Sequence, residues 1–146
     1  MIRVEYPEHP FRTKEEDNKQ FIFDELRKQW VRLTDEEWVR QNFLQYLLQV
    51  KKYPASLIAV EREIRLGELK KRFDILVFDQ QHQPWLMVEC KGMEIALQES
   101  VLDQALRYNI AVPVPYLVIT NGSFCAGFHR QSDTLQPLDE LPVYNG

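Results

Sequence analysis

Arg72-Phe73-Asp74-Ile75-Leu76-Val77 and, after a polar break, Leu86-Met87-Val88-Glu89-Cys90-Lys91 set charged groups inside two apolar runs. The first run carries one carboxylate, the second a carboxylate with a lysine two residues on. Short runs rich in β-branched and aromatic side chains read as strands. The connection Asp79-Gln80-Gln81-His82-Gln83-Pro84 is short enough to make them antiparallel neighbours. Strand side chains alternate faces, so Glu89 and Lys91 share a side of one strand, and Arg72 and Asp74 share a side of the other. An unpaired ion in a protein interior costs several kcal/mol. Asp74 and Glu89 are therefore expected to converge on a divalent cation with the Lys91 amine beside it. Those are the parts needed to hold Mg2+ and to orient a water against a phosphodiester. A cross-strand ion pair of Lys91 with Asp74 is the alternative use of the same residues.

Residues 57–66 read as a preceding strand closed by Gly67, which with 71–78 and 85–91 makes a three-strand meander. Upstream, Thr34-Asp35-Glu36-Glu37 has the spacing of a capping box, so a helix is expected from there to about Val50. Val39, Phe43, Leu47 and Val50, with Leu44 and Leu48 beside them, form its apolar stripe. Tyr53-Pro54 ends it, because the residue before proline is pushed out of helical geometry. Downstream, four-residue spacing of Leu97, Val101 and Ala105 and of Leu102, Leu106 and Ile110 predicts a helix over 96–111, ended by Pro113 and Pro115. Residues 116–120 read as a strand buried on both faces, and Asn121-Gly122 turns the chain toward 124–129.

The opening is mixed: Pro7 and Pro10 break it, residues 13–19 read as a charged loop, and 20–23 with 29–33 read as a hairpin. A helix over 24–31 competes with that hairpin. The expected architecture is α/β: helix, three-strand meander, helix, one or two strands, in a mixed sheet with helices packed on it. Residues 1–146 are expected to form a single domain, with 1–33 an N-terminal extension or hairpin, 34–130 the core and 131–146 an irregular tail.

Composition bounds the partners. The formal charge of −4 excludes nucleic-acid binding through overall electrostatics, so any such binding is local. Lys51-Lys52, Lys70-Lys71-Arg72 and Arg107 are the candidate contacts. No apolar run approaches the ~20 residues needed to span a bilayer, so no membrane span is expected. The start, Met1-Ile2-Arg3-Val4-Glu5-Tyr6-Pro7, lacks the basic-then-apolar pattern of a secretory signal, and the chain is placed in the cytoplasm. Cys90 and Cys125 have no metal-ligand or redox spacing and read as reduced core residues.

The ordered set Glu37-Trp38-Val39-Arg40-Gln41, Val60-Glu61, Arg72-Phe73-Asp74-Ile75-Leu76-Val77, Val88-Glu89-Cys90-Lys91 and Gln104-Ala105-Leu106-Arg107-Tyr108 resembles the PD-(D/E)XK nuclease superfamily. More narrowly, it resembles the N-terminal nuclease domain of type I restriction enzyme R subunits, over most of the stretch from Thr34 to Gly122. The resemblance implies a restriction-endonuclease-like fold and metal-dependent hydrolysis of phosphodiester bonds in DNA. Asp74, Glu89 and the Cys90 carbonyl would then bind Mg2+ or Mn2+, with Lys91 orienting the attacking water or stabilising charge on phosphorus. Glu61 or Glu37 would complete the metal shell. Their ordinary roles are a solvated edge carboxylate for Glu61 and the capping box for Glu37. Gln104 and Tyr108, four apart on one helix face, resemble the Q-x-x-x-Y motif of RecB-like nucleases and, with Arg72, would contact substrate. Core packing of Tyr108 and capping by Gln104 are the alternatives.

Phe73 stands where the superfamily's name expects proline, a change that removes no ligand. The sequence contains no G-x-x-x-x-G-K-[S/T] phosphate loop, so a stand-alone nuclease-like domain without the ATP-driven motor is expected. Two other accounts compete with catalysis. One is a nuclease-fold module that binds nucleic acid or a protein partner without turnover. The other is a scaffold whose exposed aromatics, such as Trp30 and Trp85, pack into a homodimer or larger oligomer. No G-x-S-x-G, H-E-x-x-H or G-x-G-x-x-G occurs, and His9, His82 and His129 are scattered without a nameable partner.

Overall fold

The computed structural model describes residues 1–144, the side chain of Leu66 apart. Strands β1 (Ile2–Arg3), β2 (Thr13–Glu16), β3 (Lys19–Asp24) and β4 (Gln29–Arg32) precede helix α1 (Asp35–Gln45). Strands β5 (Ile58–Leu66), β6 (Leu69–Phe78) and β7 (Pro84–Cys90) follow, then helix α2 (Glu99–Asn109) and strands β8 (Tyr116–Thr120), β9 (Phe124–Gln131) and β10 (Thr134–Leu138). The main sheet runs β1-β9-β8-β7-β6-β5, with β10 also on β9, and β2-β3-β4 form a separate antiparallel sheet. The β5-β6-β7 meander is antiparallel throughout, and β8 joins β7 in parallel after the α2 crossover. This is the mixed sheet and restriction-endonuclease-like architecture that the sequence predicts.

The two helices cover opposite faces. Val39, Phe43, Leu44 and Leu47 pack with Ile75, Val77, Leu86, Val88 and Val118 on one side. Leu97 and Ala105 pack with Phe73, Leu76, Met87, Leu117 and Ile119 on the other. β8 lies between these layers and is buried at Leu117, Val118 and Ile119, as its continuous apolar run requires.

Several expectations are corrected. Residues 13–19 are not a loop: β2 pairs with β3 across Asp17 and Asn18, both at positive φ, the geometry of a two-residue hairpin turn that Asn and Asp tolerate. The charges that made this stretch look like a loop lie on an exposed strand. The hairpin of β3 and β4 forms as expected, and the competing helix does not. Within the tail, β10 adds to β9 through Leu138 opposite Gly127, pairing that periodicity alone does not show. Trp85 is 7% exposed because Tyr53, Tyr116 and Tyr144 surround it edge-on, so it is core and not an oligomer contact. The first helix reaches Val50 by passing into a π-helical turn over Tyr46–Val50.

Candidate active site

Ile75 of β6 stands opposite Val60 of β5 and Val88 of β7. One step further along each strand lie Glu61, Asp74 and Glu89, so three adjacent strands each bring a carboxylate to the same level of the sheet. The backbone ladder opens there. Pairing between β5 and β6 passes over Glu61 and Asp74, and pairing between β6 and β7 ends at Ile75 and Val88. Glu61 has φ of 50°, a left-handed conformation that costs a non-glycine residue about 1–3 kcal/mol unless its surroundings impose it. Side-chain alternation also breaks at Asp74: Phe73 and Leu76 lie on the α2 face, Ile75 and Val77 on the α1 face.

Asp74 is tethered at both oxygens. The Cys90 backbone N–H donates to Oδ2 at 2.8 Å, and Arg40 Nη2 reaches Oδ1 at 3.3 Å. Glu89 takes the Lys91 amine at 3.2 Å, so these two share a side as expected, and the Lys91–Asp74 ion pair does not form. Asn109, 1% exposed on α2, points its amide at Glu89 from 3.5 Å. Asp74 and Glu89 both line one cavity of about 30 Å³, with Lys71, Arg72 and Asn109 around it. That volume is on the order of one water or one small ion. A larger groove of about 540 Å³ runs along β5 beside Leu26 and Ser56 and contains none of these carboxylates.

Behind Asp74 lies a cluster of charges. Arg40, 3% exposed, donates to Glu37, to Glu36 at 3.2 Å and to Asp74, and its Nη2 lies 3.3 Å from Glu61. Its Nε is buried with no hydrogen-bond partner among the described residues. Arg27, from the β3–β4 turn, reaches Asp24 at 2.6 Å, Glu61 at 3.1 Å and Glu37 at 3.3 Å. Gln41 donates to Asp24 and Glu37. The expected capping box is half formed: Thr34 accepts from the Glu37 N–H at 3.0 Å, while the Glu37 carboxylate turns inward to the two arginines. Both candidates for completing a metal shell, Glu37 and Glu61, are thus held by guanidinium groups.

The remaining candidates lie on the rim. Arg72 is exposed and 3.5 Å from Glu61. Gln104 is exposed, and Tyr108 is 69% exposed, which excludes its packing into the core. The Lys71 amine sits 3.9 Å from the Tyr108 ring centroid, an attractive cation–π geometry. The Q-x-x-x-Y face is therefore connected to the cavity through Lys71.

Electrostatics follow this placement. Burial draws the Lys71 amine below its ordinary value, against the opposing pull of Glu89 and Asp74. Burial, then the neighbouring Asp74, raises Glu36. For Arg40, burial works to lower the value and is outweighed by Glu37, Asp74 and Glu61, so the guanidinium stays charged.

Sequence reasoning passed over Arg40, Arg27, Asp24 and Asn109 as site residues. A signal for Arg40 was present: it stands three before Phe43 and four before Leu44, on the apolar face of α1. For Arg27 the local sequence, Asp24-Glu25-Leu26-Arg27-Lys28, looks like any solvated turn.

The family described as the type I restriction enzyme R protein N terminus matches residues 35–142. The chain belongs to that family. No curated protein matches it. The match begins at the first residue of α1 and contains every candidate from Glu37 to Tyr108, while Asp24 and Arg27 come from the hairpin outside it. Membership in this family of restriction-enzyme R-protein N termini agrees with the PD-(D/E)XK-like sheet. Among the described residues, no helix is long and apolar enough to cross a membrane.

Proposed function

We propose that this chain is a metal-dependent nuclease that hydrolyses phosphodiester bonds in DNA as part of restriction. The observation that carries the reading is that Asp74 and Glu89 line one ion-sized cavity with the Lys91 amine held 3.2 Å from Glu89. The donor chemistry fits Mg2+ or Mn2+. Among the described residues, no group of three or more Asp, Glu, His or Cys is placed to hold a metal ion by itself. Two carboxylates and the Cys90 carbonyl are oxygen donors of the kind Mg2+ takes, since it is usually held by one or two carboxylates and keeps several waters. Such an ion polarises a phosphoryl oxygen and lowers the pKa of a bound water.

The chain's own groups do the rest. The Cys90 N–H and Arg40 fix the orientation of Asp74, and Asn109 and Lys91 fix Glu89. Lys91, whose Nζ lies 3.2 Å from Glu89, presents its remaining N–H donors to the attacking water or to charge developing on phosphorus. Arg72, Gln104 and Tyr108 form an exposed rim for the DNA backbone. Glu37 and Glu61 hold Arg40 in place, so their contribution to Asp74 passes through that guanidinium.

A second reading, a nuclease-fold module that binds nucleic acid or protein without turnover, is favoured by one observation. Arg40 already places a positive charge on Asp74, where it competes with a cation. Incubation of supercoiled plasmid with Mg2+ or Mn2+, with and without EDTA, tests the choice. Cleavage should be metal-dependent and fall about 10²-fold or more in Asp74→Ala, Glu89→Ala and Lys91→Ala variants that remain folded. Absence of metal-dependent cutting by the native chain, with DNA binding intact, favours the module.

A further inference from the structure

The outer face of the small sheet β2-β3-β4 carries cations laid on aromatic rings. In register, Lys14, Phe21 and Arg32 form one row across the strands, and Phe23 with Trp30 the next. Arg12 joins that second row by accepting the Phe23 N–H at its carbonyl. The Arg12 guanidinium lies 4.5 Å from the Phe23 ring centroid and 5.4 Å from that of Trp30. The Lys14 amine lies 4.6 Å from Trp30 and 5.9 Å from Phe21. Arg12, Lys14, Lys19 and Arg32 are exposed, and the three rings are partly exposed. Alternation puts the carboxylate of Glu16 on this face, 3.1 Å from Lys14, an exposed pair of little strength. On the other face Ile22 and Asp24 are 0% exposed, with Asp24 bound to Gln41 of α1.

We infer that this face binds a single strand of nucleic acid. Four cations against two carboxylates, Glu16 and Asp17, on a chain of net charge −4, concentrate positive charge in one place, which is the footprint of phosphate binding. A guanidinium stacked on a ring presents its outer plane to a base and its in-plane N–H groups to a phosphate. That suits a polymer in which phosphates alternate with flat bases. The occupant is argued from this complementarity. An apolar protein surface or a membrane would have to strip the cations from the rings, whereas an anionic strand leaves them in place. The face lies outside the family-matched residues 35–142 and uses none of Asp74, Glu89 or Lys91, so it stands whether or not the cavity is catalytic.

The test is fluorescence anisotropy of the full chain with labelled 12-residue oligodeoxythymidylate in EDTA, titrated with salt. Log affinity should fall against log salt with a slope of about −2, for three phosphates at about 0.7 each. Reversing Arg12→Glu and Lys14→Glu together should weaken binding at least about tenfold and reduce the slope by about 1.4. Trp30→Leu should also weaken binding about tenfold. If Trp30→Leu fails to fold by circular dichroism, the exposed charge-reversal pair decides. Native-like binding by that folded pair overturns the inference. So does tighter binding of a duplex of the same length, or displacement of the strand by polyglutamate as effectively as by unlabelled oligothymidylate.

Discussion

Arg40 and Lys91 are two cations at one site with opposite energetic characters. Arg40 is enclosed by Glu37, Glu61 and Asp74, so removing it takes the guanidinium from Asp74 and leaves Glu37 and Glu61 to Arg27. Arg40→Met should cost about 3–5 kcal/mol in urea unfolding, the penalty for breaking a buried charge network from one side. Lys91 is 36% exposed at the side chain, and Lys91→Ala should change stability by at most about 1 kcal/mol. Under the proposed function, Lys91→Ala removes activity without removing stability, and measuring both for each variant separates positioning from chemistry. Asp74, Glu89 and Lys91 were legible in the sequence because a charge inside an apolar run stands out from its neighbours. Arg27 was not, since its partners Glu37 and Glu61 are ten and thirty-four residues away and nothing local marks it as buried.

At the scale of elements, α1 is aimed by its first turn. Thr34, extended at φ −119° and ψ 170°, accepts from the Glu37 N–H, and this bond orients the turn that carries Glu36, Glu37 and Arg40 toward Asp74. Thr34→Ala should lower stability by about 1 kcal/mol, while Thr34→Ser should stay close to native, as read by the thermal midpoint of far-ultraviolet circular dichroism. The meander was legible because its apolar runs, its Gly67 turn and the short 79–84 connection agree with one another. β2 and β10 were not. β2 is exposed at all four residues and β10 has two half-buried positions, so neither leaves a clear apolar alternation. Their strand character comes from the partner backbone. The left-handed Glu61 is likewise invisible locally, because a glutamate in an alternating run reads as ordinary strand.

Across the whole molecule, several ionisable side chains lie in the core and make stability depend on alkaline pH. Burial pushes the Cys125 thiol up to about 12. Burial, then Asp74, raises Cys90 well above its ordinary value, and burial raises Tyr6 and Tyr53. In the unfolded chain a thiol releases its proton near pH 8.5, whereas the folded chain keeps it. From about pH 9 upward the unfolded state therefore binds fewer protons, and stability falls as pH rises, by about 1.4 kcal/mol per pH unit for each fully retained proton. Lys71 works in the opposite sense, but as a partly exposed amine it is the weaker influence. The urea midpoint should stay level from pH 7 to 8.5 and drop by pH 10.5. A flat profile across that range would contradict the protonated cores around the two thiols.

Local sequence carried the alternation of layers and the antiparallel meander, and marked Asp74, Glu89 and Lys91 as candidates, because hydrophobic period and the cost of burying charge act within a few residues. The placing of Arg40 and Arg27 behind those carboxylates, of Trp85 in the core and of cations over the rings of the N-terminal sheet came from folding. These depend on which distant side chains are brought within reach of one another, and the strength of an ion pair or a ring contact is set by that separation and by the water excluded around it.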